Sequence, residues 1–275
     1  MNVHAIDIYS DTRSAPVSLA LDLFGPVGEP SFLSRLTDSL SNVLKFAHIG
    51  VLCFQAAKPP ALLGTASTLS PEIALSTAGI YLGGHYNADP TTVIRTRDTG
   101  ARPTLYMQQQ RVKDITDTNY RASCYENTGI VERISLLQHF DSEVWIAVNV
   151  YRDWTQGYFG RTDCSRLAAV APVLIAAANK HRQLTHTCTP ITLSRPVAES
   201  ANPAIHERIT ALCSSLSARQ LQVASLMLAG LTAKEIAKDL GIAPTSVVEH
   251  RKSVYTKLAV HDHRQFFALL AAQPA

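Results

Sequence analysis

Thr245, Glu249, Lys252 and Thr256 recur at spacings that put four polar side chains on one side of a helix. As a set they suit the edges of stacked bases. Lys252 can donate to guanine O6 or N7, and Glu249 can accept from cytosine N4. Lys234, Arg251, Lys257 and the hydroxyls of Thr232, Thr245 and Ser246 suit phosphate oxygens, contacts that position a duplex without reading it. Other constellations are thinner. GxSxG, HExxH, a Walker loop and GxGxxG do not occur, so the expectation is a protein that is not an enzyme, with no catalytic residue, metal site or cofactor. The ten histidines are spread out, and pairs such as His181 with His186 or His261 with His263 fit capping or solvated roles. The five cysteines stand singly, without CxxC, which predicts reduced thiols.

The elements that must hold the polar face follow from the apolar residues around it. Val223, Leu226 and Met227 mark one face of a first helix, and Gly230 stops it. Ile236, Ala237 and Leu240 mark a second, followed by a turn at Gly241, with Ile242 plugging the core. Pro244 opens a third helix, where its missing N–H costs nothing. Val247, His250, Val254 and Leu258 then face inward, which turns Thr245, Glu249, Lys252 and Thr256 outward. Three helices with a Gly turn of this length predict a helix-turn-helix whose last helix enters the major groove. Phe266, Phe267 and Leu270 form a stripe on a further helix, exposed on an isolated domain and suited to pairing two copies.

The same residues resemble a known family. LSARQ, AGLTAKEIAKDLGI and TSVVEHRKSVYTKL are similar in register to the LuxR-type (GerE-type) DNA-binding domain. The resemblance covers roughly the last fifth of the chain and implies a four-helix DNA-binding module that works as a homodimer on double-stranded DNA, with RNA polymerase as a further partner. Three departures stand out. Gln220 replaces the usual Glu. Ala243 replaces the usual Ser, a loss of helix capping that costs about 0.5–2 kcal/mol. Val248 replaces the usual Lys on the side facing DNA.

Charge agrees with this placement. From Leu216 onward seven basic residues oppose four acidic ones, and that excess equals the whole chain's net charge of +3. Residues 1–215 therefore sum to about zero, and the positive field lies where phosphate would be met. At 275 residues, 46% apolar and 17% charged, the chain has the composition of a globular protein with room for two domains. Apolar runs break before the ~18–20 residues a membrane span needs, and the first residues lack a basic start followed by an apolar block. A cytoplasmic protein without membrane attachment is expected.

The remainder reads as an irregular lead-in (1–30), a sensor domain (31–183), a Thr/Pro/Ser-rich linker (184–211) and the helix-turn-helix domain (212–275). Within the sensor the expected elements are a helix over Ser31–Lys45, strands at 48–54 and 61–67, and a helix from Pro71 to Leu82. The stretch 91–119 is expected to hold helices and loops. A hairpin of 131–140 with 144–151 and a long helix, Ser165 to about Gln183, follow. This order predicts an α+β fold, one antiparallel sheet with helices. VERISLLQHFDSEVWIAVNVYRD, GYF and APVLIAAANKHRQL resemble GAF/PAS-type sensor domains, which implies a small-molecule effector. The stretch HYNADP, with Tyr86 and Asp89, also resembles the acyl-homoserine lactone sensors of quorum-sensing LuxR proteins, but the Trp of that pattern has no counterpart before Trp145. Asp89-Pro90 also fits a turn. Tyr86, Asp89 and Trp145 are the candidate ligand residues, and Tyr120, Tyr125, Tyr151 and Trp154 are either core or pocket wall. The expected function is a ligand- or partner-sensing transcription regulator. Its alternatives are a LuxR-like interaction protein with weakened DNA affinity and a receptor for a lactone-type signal.

Overall fold

Near-continuous apolar runs at 48–54, 130–137 and 144–150 are the signature of strands covered on both faces, and they form the centre of one sheet. The computed structural model describes residues 2–6, 17–55, 58–69, 71–98, 104–141, 144–185, 203–228, 231, 233–261, 265–266 and 269. Strands β1 (Asn2–Ile6), β2 (His48–Gln55), β3 (Ala61–Ser67), β4 (Leu105–Arg111), β5 (Ile130–Asp141) and β6 (Val144–Asp153) pair antiparallel in the order β1-β4-β5-β6-β2-β3.

Two layers of helix cover this sheet. On one face lie α1 (Val17–Phe24), α2 (Phe32–Ser41) and α6 (Arg161–Thr185). Their residues Leu23, Phe32, Leu36, Leu167 and Leu174 are fully buried against Ile49, Val51, Ile134, Leu136, Val148 and Val150. α2 approaches so closely that a Cβ on Gly64 of β3 would sit 2.8 Å from Leu33 Cγ. The other face carries α3 (Pro71–Leu82), α4 (Thr91–Arg97) and α5 (Thr118–Arg121), the last running into a π turn over Ala122–Glu126. Here the core is aromatic: Phe54, Tyr81, Tyr120, Tyr125 and Trp145.

The chain then forms a separate helical core from α7 (Pro203–Leu212), α8 (Ala218–Leu228), α9 (Ala233–Leu240) and α10 (Pro244–Lys257). Ile209, Val223, Met227, Ile236, Val247, Val254 and Phe266 fill it.

The α+β sheet with helices and the helical C-terminal unit match the expected class. Three expectations change. The lead-in is not wholly irregular, because β1 extends the sheet edge along β4 and α1 covers the core. The stretch 91–119 contains the strand β4, whose LYMQQQR shows little apolar alternation because Gln108 and Gln110 are fully buried. The end of the expected linker is helix α7, anchored by Ile209. Among the described residues no helix is long and apolar enough to cross a membrane, and no cluster of His, Cys, Asp or Glu could hold a metal.

Candidate nucleic-acid interface and sensor cavity

The recognition helix is set in place by local rules. α8 starts on a reciprocal capping box: Ser217 Oγ accepts from Gln220 N at 3.2 Å, and Gln220 Oε1 accepts from Ser217 N at 3.0 Å. Gln220 thus does what Glu would do at that place. Arg219 donates to the Leu240 carbonyl at 2.7 Å, tying α8 to the end of α9. Gly241 adopts φ +63°, the left-handed conformation that lets the chain leave α9 and re-enter a helix. Ala243, as expected, presents no side chain to cap α10, while Pro244 occupies its first turn.

α10 then faces as its spacing predicts. Val247, Val254 and Leu258 are buried, and Thr245, Glu249, Lys252 and Thr256 are exposed together, with Arg251 beside them. Lys234 is exposed at the start of α9 and Ser246 is half-buried. His250, expected inside, is also half-buried. Val248 stands 48% exposed, an apolar patch where the family resemblance expects a cation. Thr232, Phe267 and Leu270 lie outside the described residues.

One of the predicted roles needs correction, and a second residue gains a structural partner. The Lys257 ammonium, expected to meet phosphate, donates to the Ser215 carbonyl at 2.6 Å and to Gln220 Oε1 at 2.9 Å, clamping the end of α10 to the start of α8. Phe266, expected on an exposed pairing stripe, is fully buried in its own domain's core, with its ring 6.1 Å from Tyr255. Helical periodicity reports which residues share a face, not whether that face is covered by the same chain.

The second site lies between the sheet and α3. A small cavity of about 30 Å³ is lined by Gly50, Leu52, Thr77, Tyr81, Tyr120 and Arg133 among others, room for about two waters. Arg133, its charged wall residue, belongs to a buried ion pair with Asp89. Arg133 Nη1 and Nη2 donate to Asp89 Oδ2 and Oδ1 at 2.7 and 2.9 Å. Tyr81 OH and Tyr120 OH also donate to Asp89 Oδ2, at 2.9 and 3.3 Å, and Thr91 N donates to Oδ1 at 2.9 Å. Asp89 therefore starts α4 as a turn residue and also neutralises the wall residue Arg133. Burial alone would raise its carboxyl, but the Arg133 charge and the converging donors hold it down at about 2. Desolvation pushes the Tyr81 and Tyr120 phenols well above their usual range, so both remain neutral donors. His48, also lining the cavity, is lowered by burial to about 4 and is neutral near pH 7.

Strand register lays a polar floor beneath this cluster. Gln110, Arg133, Tyr151 and His48 form one cross-strand row, and Gln108, Ser135, Asn149 and Gly50 the next. The buried Ser135 Oγ, Asn149 Oδ1 and Ser123 Oγ have no hydrogen-bond partner among the described residues, and such groups each cost about 1–3 kcal/mol when left unmet. None of the three candidate ligand residues lines the cavity itself; Asp89 comes nearest, bonded to its wall residues Arg133, Tyr81 and Tyr120. Tyr86 reaches it second-hand, edge-on to Tyr81 at 6.5 Å. Trp145 does not reach it: it pairs with His139, whereas Arg133 pairs with Tyr151, roughly 20 Å along the strand at about 3.3 Å per residue. Tyr120, Tyr125 and Tyr151 are at once core and cavity wall, while Trp154 is 41% exposed. Arg133 went unmarked in the sequence; its signal was a cation set beside Ile134, Leu136 and Leu137 in a central strand.

Residues 214–270 match the GerE model, described as bacterial regulatory proteins of the luxR family. The chain is 27% identical over 154 residues to a putative HTH-type transcriptional regulator in the exeN 3′ region of Aeromonas salmonicida, a span covering 56% of this chain and 79% of that one. Solved structures it is similar to include the ligand-binding domain of VqsR from Pseudomonas aeruginosa, at 19% identity over 61% of this chain and 96% of that one, with a TM-score of 0.45. SdiA of Escherichia coli matches at 12% identity over 90% of this chain and 92% of that one, with a TM-score of 0.43. Over residues 214–270, then, the chain carries a helix-turn-helix domain of the luxR family of bacterial regulatory proteins.

Proposed function

We propose that this protein is a sequence-specific transcription regulator in which α10 reads the major groove as part of a homodimer and the sheet domain senses a small molecule. The observation that carries the DNA-reading part is the simultaneous exposure of Thr245, Glu249, Lys252 and Thr256 over a buried Val247, Val254 and Leu258. Lys252 and Glu249 contact bases; Lys234, Arg251, Ser246, Thr245 and Thr232 contact phosphate. The operator is then a near-palindrome, and RNA polymerase is recruited or blocked there. A cytoplasmic location and a GAF/PAS-like identity for the sheet domain belong to the same reading. Selection from a random duplex library should return a two-fold consensus, and affinity should fall steeply with salt, by a slope of about −0.9 per phosphate neutralised. A salt-insensitive, sequence-blind interaction would favour instead the interaction-protein reading, to which Ala243 and the exposed Val248 lend support.

The sensing part is supported by the cavity, with Arg133, Tyr81 and Tyr120 on its wall. For a lactone-type signal the relevant fact is that both Asp89 oxygens are already engaged by Arg133. A ligand requiring that carboxylate has to displace a buried guanidinium. Thermal shifts with N-acyl homoserine lactones against neutral amides and polyols test the ligand class, since a ligand at 100 times its Kd adds about 2.7 kcal/mol of stability.

A further inference from the structure

Helix α3 presents two working faces. Ala74, Thr77, Ala78 and Tyr81, at i, i+3, i+4 and i+7, line the cavity. Ile73 and Ser76 point elsewhere. Ile73 is buried within the hydrophobic core of the C-terminal domain, and Ser76 Oγ lies 3.5 Å from the Leu228 carbonyl at the end of α8. Just past α3, burial lowers the His85 imidazole, with the Glu235 carboxylate in the first turn of α9 acting in the opposite direction. Leu75, between the two faces, is 45% exposed.

We propose that α3 is a lever joining the cavity to the DNA-binding domain: its inner face follows cavity occupancy, and its outer face docks the helical C-terminal core at the end of α8 through Ile73 and Ser76. The physical reasons are size and stiffness. A cavity of about 30 Å³ holds nothing larger than about two waters, so a larger occupant must displace a wall. Opposite α3 the walls are strands β2, β5 and β6, each paired on both sides and backed by the α2–α6 layer, with edge strand β3 and the α5–π-turn residues Tyr120, Cys124 and Tyr125 closing the rest. α3 packs on β2 and β3, on the short turn His85–Ala88 and on the π turn Ala122–Glu126, and it meets the C-terminal core through Ile73 and Ser76. A helix moves as a body, so a shift at Thr77 and Tyr81 carries Ile73 out of its seat. The dock leaves the base-facing side of α10 exposed, so it sets the position of the reader without masking it. Lys234, in the first turn of α9 beside the dock, is the proposed phosphate contact that such a movement relocates.

The coupling rests on the sensing role proposed above for the cavity; the dock itself does not. Both can be read by hydrogen exchange on the full-length chain. Ile73→Asp should speed exchange across 221–240 by about tenfold or more while the central strands 130–137 and 144–150 keep their protection. Unchanged exchange at 221–240 overturns the dock. Thr77→Trp, which fills the cavity from α3, should reproduce the same acceleration with Ile73 intact. If Thr77→Trp loses strand protection altogether, Ala78→Met places a smaller, more flexible filler on the same face. A folded cavity-filled variant with full protection at 221–240 overturns the lever. None of these readouts requires a ligand or an operator, so failure of the proposed function would appear separately, in binding-site selection and thermal-shift screens.

Discussion

Lys252 and Lys257 belong to one helix yet have different work, and substitution should separate them. Lys252→Ala and Glu249→Ala should change base preference in a binding-site selection without moving the melting temperature, because both side chains are exposed. Lys257→Met should lower the melting temperature of the C-terminal unit, because its ammonium holds Ser215 and Gln220; equal melting of Lys257→Met and wild type would restore it to the phosphate contacts. In the cavity, Arg133→Met leaves Asp89 buried and unpaired, a loss of about 3–5 kcal/mol. Combining it with Asp89→Asn should recover much of that loss, since the cost lies in the orphaned charge. A chemical-denaturation cycle over the four proteins measures this directly.

His48 gives the same site a pH signature. Its folded value of about 4 lies below the ordinary 6.5, so on acidification the unfolded chain takes up the proton first. Stability is therefore full above about pH 6.5 and declines as pH falls toward 4, by roughly 3 kcal/mol when complete. Asp89, lowered to about 2 from 3.8, adds a loss confined to the range between those values. Urea midpoints between pH 7 and 4.5 should fall in wild type and fall less in His48→Gln. Parallel slopes for the two would show that His48 does not govern this range.

At the scale of elements, α2 and β3 meet at a single missing side chain. A methyl at Gly64 collides with Leu33, so Gly64→Ala should destabilise by roughly 1–3 kcal/mol through overpacking, and Leu33→Ala in the same chain should relieve part of that strain. Elements built on apolar periodicity were legible in advance: the β2–β3 and β5–β6 hairpins, α3, α6 and the three helices α8 to α10. Those that β4 and β1 illustrate were not. β4 buries Gln108 and Gln110 in a polar row completed by strands more than twenty residues away in sequence, so its apolar count understates its burial. β1 is short, and its place is decided by the open edge of β4.

At the scale of the molecule, two cores are joined through α3 as well as through the connecting chain, and the positive excess sits in the second core. Affinity for a duplex should therefore fall with salt for the full chain as for any reader of phosphate, while Ile73→Asp should alter how strongly the sensor's state influences that affinity rather than the salt slope itself. A changed salt slope with unchanged protection at 221–240 would place Ile73 near DNA instead of at the dock. The local sequence determined the helix-turn-helix, its outward face and its family likeness, because capping, glycine turns and helical periodicity act over a few residues. Only the tertiary structure decided that Arg133 neutralises Asp89, that Phe266 is covered, that Lys257 is a clamp and that α3 touches both cores. Each of these depends on which distant surface meets the residue, and spacing along the chain carries no record of that.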